Sequence, residues 1–309
     1  MARAAGLYNW AMKPFSGVFT PIVTPFSGDG AIDEAGMRGN VARWMSTPLT
    51  GLVVLGSNGE APQLDDAEAD WLIDIVRSAV PADRPLIAGT GRESTAATIS
   101  ATRRAAAAGV DAALVRTPSF FKAQMTTDVF VRHYTEVAEA SPVPVLLYNV
   151  TAYTGVSLAA DAVERLAQHP NIVGIKESGN DVGLIAEYVA RTPDDFMVLA
   201  GSGATLFHAL CADCDGAILA LASLAPREVV SMEVLLDQGR LDEARVLQRR
   251  LMPLARLISA AHGVAGLKAA LDLMGFAGGA PRPPLRPVST QTIDTLRVQL
   301  DALGLLEKA

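Results

Sequence analysis

The chain has 309 residues, half of them apolar, and a formal net charge of −7. This length suits one large α/β barrel or two ordinary domains. The acidic balance, with no basic block, argues against nucleic acid or an anionic membrane as a partner. No apolar stretch approaches the ~20 residues of a membrane-spanning helix, and residues 1–13 show no signal-peptide pattern. The two cysteines give no disulfide framework, so we expect a cytoplasmic protein.

Short β-branched runs alternate with amphipathic stretches over the first 225 residues. Eight runs predict strands, at 17–22, 52–56, 86–89, 112–117, 143–149, 172–176, 197–201 and 217–220. Seven stretches between them predict helices, at 34–45, 66–80, 95–108, 128–139, 160–168, 182–191 and 204–212. Asp33, Asp65 or Asp66, and Ser94 are suited to cap the first three of these helices. Eight alternating units predict a closed (β/α)8 TIM barrel.

The chain continues past the eighth strand with a different pattern. Four helices are predicted there, at 228–238, 241–261, 264–274 and 290–303, with a Gly/Pro-rich connector at 275–287. We therefore predict three regions, namely an N-terminal extension at 1–14, a catalytic barrel at 15–225 and a C-terminal helical region at 226–309.

Lys176 ends a run in which Ile172, Val173 and Ile175 predict a short buried strand. Barrel enzymes carry their chemistry at the C-terminal ends of the strands. Burial disfavours a charged amine, and a neutral amine is a nucleophile that forms a Schiff base with a 2-oxo acid. The alternative is a lysine that leaves the strand for solvent.

Two other strand ends carry candidate groups. Ser57 and Asn58 stand between glycines, so their backbone N–H groups could turn toward a carboxylate, although an ordinary turn would use the same residues. Tyr148 ends the fifth strand and is either a core tyrosine or an acid–base group beside Lys176.

Two weaker patterns leave alternatives open. The Gly-Ser-Gly at 201–203 suits either a phosphate loop or a close-packed wall of the substrate pocket. Cys211 and Cys214 form a C-x-x-C that is either a redox or metal half-site or a pair of small buried thiols near a helix end. The absence of a second cysteine pair favours the buried thiols.

Three motifs, in this order, resemble the dihydrodipicolinate synthase / N-acetylneuraminate lyase family of class I aldolases. They are G-S-N-G-E at 56–60, Y-N-V at 148–150 and G-I-K-E-S at 174–178, within a resemblance that covers residues 15–285. The resemblance implies a (β/α)8 barrel, lysine Schiff-base catalysis with no cofactor or metal, pyruvate as the 2-oxo acid, and a homotetramer built from dimers.

The resemblance also implies roles for single residues. Lys176, Tyr148 and Ser57 would be catalytic. Ser57 and Asn58 would bind the substrate carboxylate, and Ser178 and Gly201 the distal part of the substrate. An iminium on Lys176 withdraws electrons, so the C3–C4 bond breaks without a metal. Tyr148 would take the proton of the C4 hydroxyl, with Ser57 as a relay.

Within the family, the chain is most similar to 4-hydroxy-2-oxoglutarate aldolases. The similarity lies in the serine–asparagine pair at 57–58 and in the segments 133–135, 168–174 and 263–268. Lys268, in the last segment, is expected to be structural. Synthases of the family usually carry arginine where Tyr153 stands and a tyrosine where Phe120 stands, which argues against synthase activity. Thr151 replaces a usual proline.

These features predict a lyase that converts 4-hydroxy-2-oxoglutarate to pyruvate and glyoxylate. The alternatives are a 2-keto-3-deoxy sugar-acid aldolase or dehydratase, a dihydrodipicolinate synthase, and a binding barrel that has lost catalysis. Arg116, Lys122 and Tyr153 are candidate residues of the pocket rim. Phe120 and Phe121 are expected either at a subunit contact or packed beneath their own loop.

Overall fold

Eight parallel strands close into one barrel in the computed structural model, which describes residues 13–306. The strands are β1 (Gly17–Pro21), β2 (Gly51–Val54), β3 (Leu86–Gly89), β4 (Ala112–Arg116), β5 (Val145–Asn149), β6 (Ile172–Glu177), β7 (Met197–Ala200) and β8 (Gly216–Ile218). Each strand pairs with the next one in sequence, and β8 closes the barrel on β1. The predicted (β/α)8 fold is therefore confirmed. Residues 1–12 of the predicted N-terminal extension lie outside the described residues.

The helices surround the barrel and continue past its last strand. They are α1 (Glu34–Met45), α2 (Asp66–Ala79), α3 (Thr95–Ala107), α4 (Thr127–Ala140), α5 (Thr151–Thr154), α6 (Ala160–Leu166), α7 (Val182–Arg191), α8 (Leu206–Cys211), α9 (Pro226–Asp237), α10 (Leu241–Arg256), α11 (Gly263–Leu273) and α12 (Thr290–Ala302). Among residues 13–306, every helix is too short or too polar to span a lipid bilayer.

Local capping explains why the early helices begin where the sequence predicts. The side chains of Asp33, Asp65 and Ser94 each accept a hydrogen bond from the backbone N–H three residues later. At α2, the Asp65 N–H donates in turn to the Glu68 carboxylate, which completes a capping box. Short-range hydrogen bonds of this kind depend on adjacent residues alone, so the pattern predicts them well.

Two helical features differ from the prediction. The helix expected at 241–261 is α10 followed by one π-helical turn, Leu257–Ala261. Pro253 lies inside α10 and has no N–H, so the regular hydrogen-bond ladder is interrupted just before the turn widens. The short helix α5 has only four residues, which is too few to show a helical period.

Two apolar layers hold the barrel together. Side chains such as Phe19, Ile87, Leu114 and Leu146 fill its interior, and alternate residues of the same strands pack outward against the helices. The interior layer ends below the C-terminal rim, where polar side chains take over. The turn Leu257–Ala261 joins α10 to α11 at this rim, and α11 contacts the loop after β2. The division into a barrel and a separate C-terminal region stays a prediction.

Candidate active site

Lys176 lies inside the barrel, one residue before the end of β6. It pairs in register with Tyr148 on β5, so the two side chains project to the same side. Only 4% of Lys176 is exposed, and its Nζ lies 4.2 Å from the centre of the Tyr148 ring. Both residues line a cavity of about 320 Å³. The buried position, and not the solvent-facing alternative, is the one observed.

The Lys176 amine has no competing partner. Among residues 13–306, no hydrogen bond or ion pair joins its Nζ to another side chain or to the backbone. An amine that is not already bonded to a carboxylate or a carbonyl is accessible to a carbonyl carbon that enters the cavity.

The loop after β2 brings Ser57 to Tyr148. The Ser57 Oγ lies 3.2 Å from the Tyr148 hydroxyl, so a proton could pass along this hydrogen bond. Ser57 and Asn58 begin a single helical turn, Ser57–Gly59, and both line the cavity. The first N–H groups of such a turn have no partner within it. Within the described chain neither of these N–H groups donates to the backbone, so both are available to a carboxylate.

Strained backbone flanks this turn on both sides. Leu55 has φ = 56° and Glu60 has φ = 55°, in the left-handed region that non-glycine residues avoid. A side chain at Gly89 of the neighbouring strand would overlap the Leu55 carbonyl. Two strained residues around one short turn are typical of a functional loop.

The opposite wall of the cavity is polar and uncharged. Ser178 follows β6 and Gly201 follows β7, and a β-carbon on Gly201 would overlap the Ser178 Oγ. Ser202 Oγ donates to Asn180 Oδ1 at 2.8 Å. The Gly-Ser-Gly segment thus forms a close-packed pocket wall. Lys176 is the one charged side chain among the described residues that line this cavity.

A buried network outside the barrel supports the ends of β5 and β6. Asn149 Nδ2 donates to Glu177 Oε2 at 2.5 Å, and its Oδ1 accepts from the Leu158 N–H at 3.1 Å. The Tyr188 hydroxyl donates to the Leu158 carbonyl at 2.5 Å. Burial raises the pKa of Glu177, although hydrogen bonds from Asn149 and the Gly179 N–H oppose the shift. Sequence reasoning missed this network because its members are far apart along the chain.

A wider outer chamber of about 670 Å³ adjoins the cavity at Ser57 and Tyr153. Arg116 lies on its wall in an ion pair with Glu93 at 2.7 Å. Arg286 also lines the chamber, and it forms no ion pair among residues 13–306. Tyr153 borders both spaces, so two of the three predicted rim residues are observed at the rim.

The π-helical turn gives the site a wall that sequence reasoning did not find. Ile258, Ser259 and Ala260 of this turn line the inner cavity, and Ser259 and Ala260 also line the outer chamber. A widened turn within a long helix is frequent at functional sites. The C-terminal helices therefore contribute directly to the cavity.

Other predicted residues lie away from the cavity. The Lys122 amine lies against Gly155 and is not part of either chamber wall. Phe120 and Phe121 are 78% and 68% exposed, so they do not pack beneath their own loop.

The cysteine prediction is only half right. Cys214 is buried but Cys211 is exposed, because Cys211 lies on the outer side of the last turn of α8. Within residues 13–306, His, Cys, Asp and Glu side chains form no group of three that could hold a metal ion.

Comparisons with known proteins show which family the chain resembles. The sequence profile of the Dihydrodipicolinate synthetase family matches residues 14–303. A 4-hydroxy-tetrahydrodipicolinate synthase from Methanothrix thermoacetophila is 37% identical over 284 residues, which cover 92% of this chain and 95% of that protein.

Two solved structures resemble the fold closely. A dihydrodipicolinate synthase from Bacillus anthracis superposes with a TM-score of 0.90 at 31% identity, covering 94% of this chain and 99% of that one. The dihydrodipicolinate synthase from Acinetobacter baumannii, in complex with pyruvate, gives a TM-score of 0.89 at 30% identity, with coverage of 94% and 99%.

Proposed function

Because the chain belongs to the Dihydrodipicolinate synthetase family, whose members are lyases that use a lysine Schiff base, we propose that Lys176 binds pyruvate covalently and that the enzyme joins it to an aldehyde. The observation that carries this proposal is the buried Lys176 amine, 4.2 Å from the ring centre of Tyr148, whose hydroxyl in turn is hydrogen-bonded to Ser57. A cytoplasmic location and a homotetramer remain part of the proposal.

The chemistry begins with attack of the Lys176 amine on the C2 carbonyl of pyruvate. Loss of water gives an iminium, and loss of a C3 proton gives an enamine. The enamine carbon then attacks the aldehyde carbon, and the new oxyanion takes a proton from Tyr148. Hydrolysis of the iminium releases the product and restores the amine. Ser57 and Asn58 hold the pyruvate carboxylate and so orient C2 toward Nζ.

The outer chamber supports an aldehyde that carries a carboxylate. Glu93 offsets Arg116, and Glu60 is paired with the buried Lys268. Arg286 therefore contributes an unbalanced positive charge among the described residues of the chamber wall. A positive charge on the wall of the outer chamber attracts an anionic second substrate.

Two reactions of this kind compete. Similarity to proteins named 4-hydroxy-tetrahydrodipicolinate synthase supports the synthase reaction, and we favour it over the aldolase predicted from the motifs. The serine–asparagine pair, with Tyr153 and Phe120 where synthases usually carry arginine and tyrosine, supports cleavage of 4-hydroxy-2-oxoglutarate as the second candidate. Both reactions pass through the same iminium on Lys176.

Borohydride reduction in the presence of pyruvate tests the covalent step. We expect peptide mass mapping to find the reduced pyruvate adduct on Lys176 and not on Lys268. Lys268 is the other deeply buried lysine among residues 13–306, and its amine is occupied by three hydrogen bonds. The absence of an adduct on Lys176 would overturn the proposal.

A product assay then separates the two reactions. The enzyme is incubated with pyruvate and either aspartate 4-semialdehyde, the amino-aldehyde acid that gives the synthase product, or glyoxylate, and products are identified by mass spectrometry. We expect faster turnover with aspartate 4-semialdehyde. Turnover with glyoxylate alone would instead assign the aldolase reaction. In a separate incubation with a 2-keto-3-deoxy sugar acid, dehydration without release of pyruvate would assign a dehydratase.

A further inference from the structure

We propose that a buried ion pair between Glu60 and Lys268 holds the turn Ser57–Gly59 in the shape that binds the pyruvate carboxylate. Lys268, on the C-terminal helix α11, is thus a positioning residue for the 2-oxo acid. The inference rests on the proposed function, because it concerns the carboxylate site of that reaction.

All donors of the Lys268 amine are used inside the protein. Its Nζ lies 2.7 Å from Glu60 Oε1, 2.8 Å from the Thr24 carbonyl and 3.0 Å from the Ala280 carbonyl. The side chains of Lys268 and Glu60 are fully buried. A desolvated ion pair needs every polar atom satisfied, and here the three partners of the amine come from three separate segments of the chain.

Glu60 connects the ion pair to the turn Ser57–Gly59. It follows Gly59 directly, adopts the left-handed conformation, and donates its own N–H to the Ser57 carbonyl at 3.2 Å. Its second carboxylate oxygen accepts the Arg282 N–H at 2.7 Å. The Gly59 carbonyl accepts the Thr24 hydroxyl at 2.7 Å. The left-handed conformation is unfavourable in isolation, so these bonds are what maintain it.

The ion pair affects the binding of the pyruvate carboxylate and not the reactivity of the Lys176 amine. The direction of the Ser57 and Asn58 N–H groups depends on the backbone angles of the turn, which the ion pair fixes from one end. Lys176, by contrast, stands on β6 and makes no contact with Lys268. Loss of the pair therefore weakens the preorganised binding of pyruvate, while the amine still reacts once pyruvate is bound.

The experiment measures borohydride trapping as a function of pyruvate concentration. The main variant is the double substitution Glu60→Gln with Lys268→Met, which removes both charges together and leaves no lone buried charge. We expect the half-saturating pyruvate concentration to rise about tenfold, with full labelling of Lys176 at saturation. Glu60→Gln alone keeps the side-chain shape but leaves the Lys268 charge buried without its carboxylate, so we expect it to raise the same concentration at least as much.

Asn40→Ala provides the matched control. The buried Asn40 exchanges two 2.8 Å hydrogen bonds with Ala277, which lies in the connector 275–287 together with Ala280 and Arg282. Asn40 does not contact the turn Ser57–Gly59. We expect this variant to lower the melting temperature without changing the half-saturating pyruvate concentration.

Two results would overturn the inference. The first is an unchanged half-saturating pyruvate concentration in the folded double variant or in the folded Glu60→Gln variant. The second is an equal shift in Asn40→Ala, which would indicate general loosening. Failure of the wild type to be labelled would contradict the proposed function itself, so the two failures are distinguishable.

Discussion

Lys176 and Tyr148 face each other across adjacent strands, and each depends on the other for its proposed chemistry. The register of β5 and β6 sets them side by side, and the lack of a hydrogen-bonding partner leaves the lysine amine to the substrate. Tyr148 reaches Ser57 on its other side. At the scale of residues, the reaction therefore divides into a nucleophile, a proton-transfer group and a carboxylate turn.

Replacing Lys176 with arginine tests the nucleophile. Arginine keeps the positive charge but is not deprotonated in proteins, so it cannot form the iminium. We expect Lys176→Arg to lower turnover by at least about 10³-fold and to abolish borohydride trapping of pyruvate, as measured by steady-state assay and peptide mass. The thermal unfolding curve of Lys176→Arg, compared with that of the wild type, serves as the folding control. Residual turnover close to that of the wild type would contradict the Schiff-base mechanism.

Replacing Tyr148 with phenylalanine separates proton transfer from covalent binding. We expect kcat to fall by about 10²–10⁴-fold, the usual contribution of an acid–base group, while pyruvate still forms its adduct with Lys176. The matched control is Tyr134→Phe, because the Tyr134 hydroxyl is also buried but donates to the Val115 carbonyl outside the cavity. If both variants lose the same activity, Tyr148 has no particular role in proton transfer.

At the scale of elements, the contact between α3 and α4 contains a histidine that responds to acid. His133 on α4 has its Nδ1 2.9 Å from the Thr95 Oγ1 on α3, and its Nε2 is buried without a partner. Burial lowers the pKa of His133 to about 4, although the charge of Glu93 opposes the shift. The folded protein thus resists a proton that the unfolded chain accepts near pH 6.5.

This difference predicts a loss of stability in acid. Between pH 6.5 and about 4 the unfolded state binds more protons at this site, so the free energy of unfolding falls as the pH falls. At pH 5 the loss from this group is about 2 kcal/mol. Urea unfolding at pH 7 and pH 5 measures this loss. Between these two pH values we expect the free energy of unfolding of His133→Gln to fall by about 2 kcal/mol less than that of the wild type. Equal losses in both proteins would rule out His133 as the source.

At the scale of the whole molecule, the loop after β4 carries an exposed aromatic pair. Phe120 and Phe121 pack edge to face, with ring centres 5.0 Å apart, and both project into solvent. Adjacent exposed aromatic rings are typical of an interaction site, and symmetric pairing of such patches closes dimers. We propose that this pair contributes to the predicted homotetramer.

Charged substitutions test this contact. In sedimentation velocity we expect the wild type to form a tetramer and the double variant Phe120→Asp with Phe121→Asp to form smaller species, because burying two carboxylates at an interface is unfavourable. Val298→Asp, a change at a single exposed apolar residue on α12, is expected to leave the assembly intact. A wild-type monomer, or an unchanged assembly in the double variant, would contradict the proposal.

The sequence alone determined the barrel, the helix starts and the strand end on which Lys176 stands. Strand alternation and helix caps depend on residues a few positions apart, so their pattern is legible along the chain. The sequence also singled out Ser57, Asn58 and Tyr148 by their positions at strand ends, and the family resemblance added Ser178 and Gly201. All five line one cavity.

The tertiary structure decided what the pattern could not. It placed the π-helical turn Leu257–Ala261 on the cavity wall, and it joined Glu60 to Lys268 across 208 positions of sequence. Contacts of that range arise from closure of the barrel and packing of the C-terminal helices over its rim. No local periodicity encodes them, because both partners satisfy their local preferences in many other arrangements.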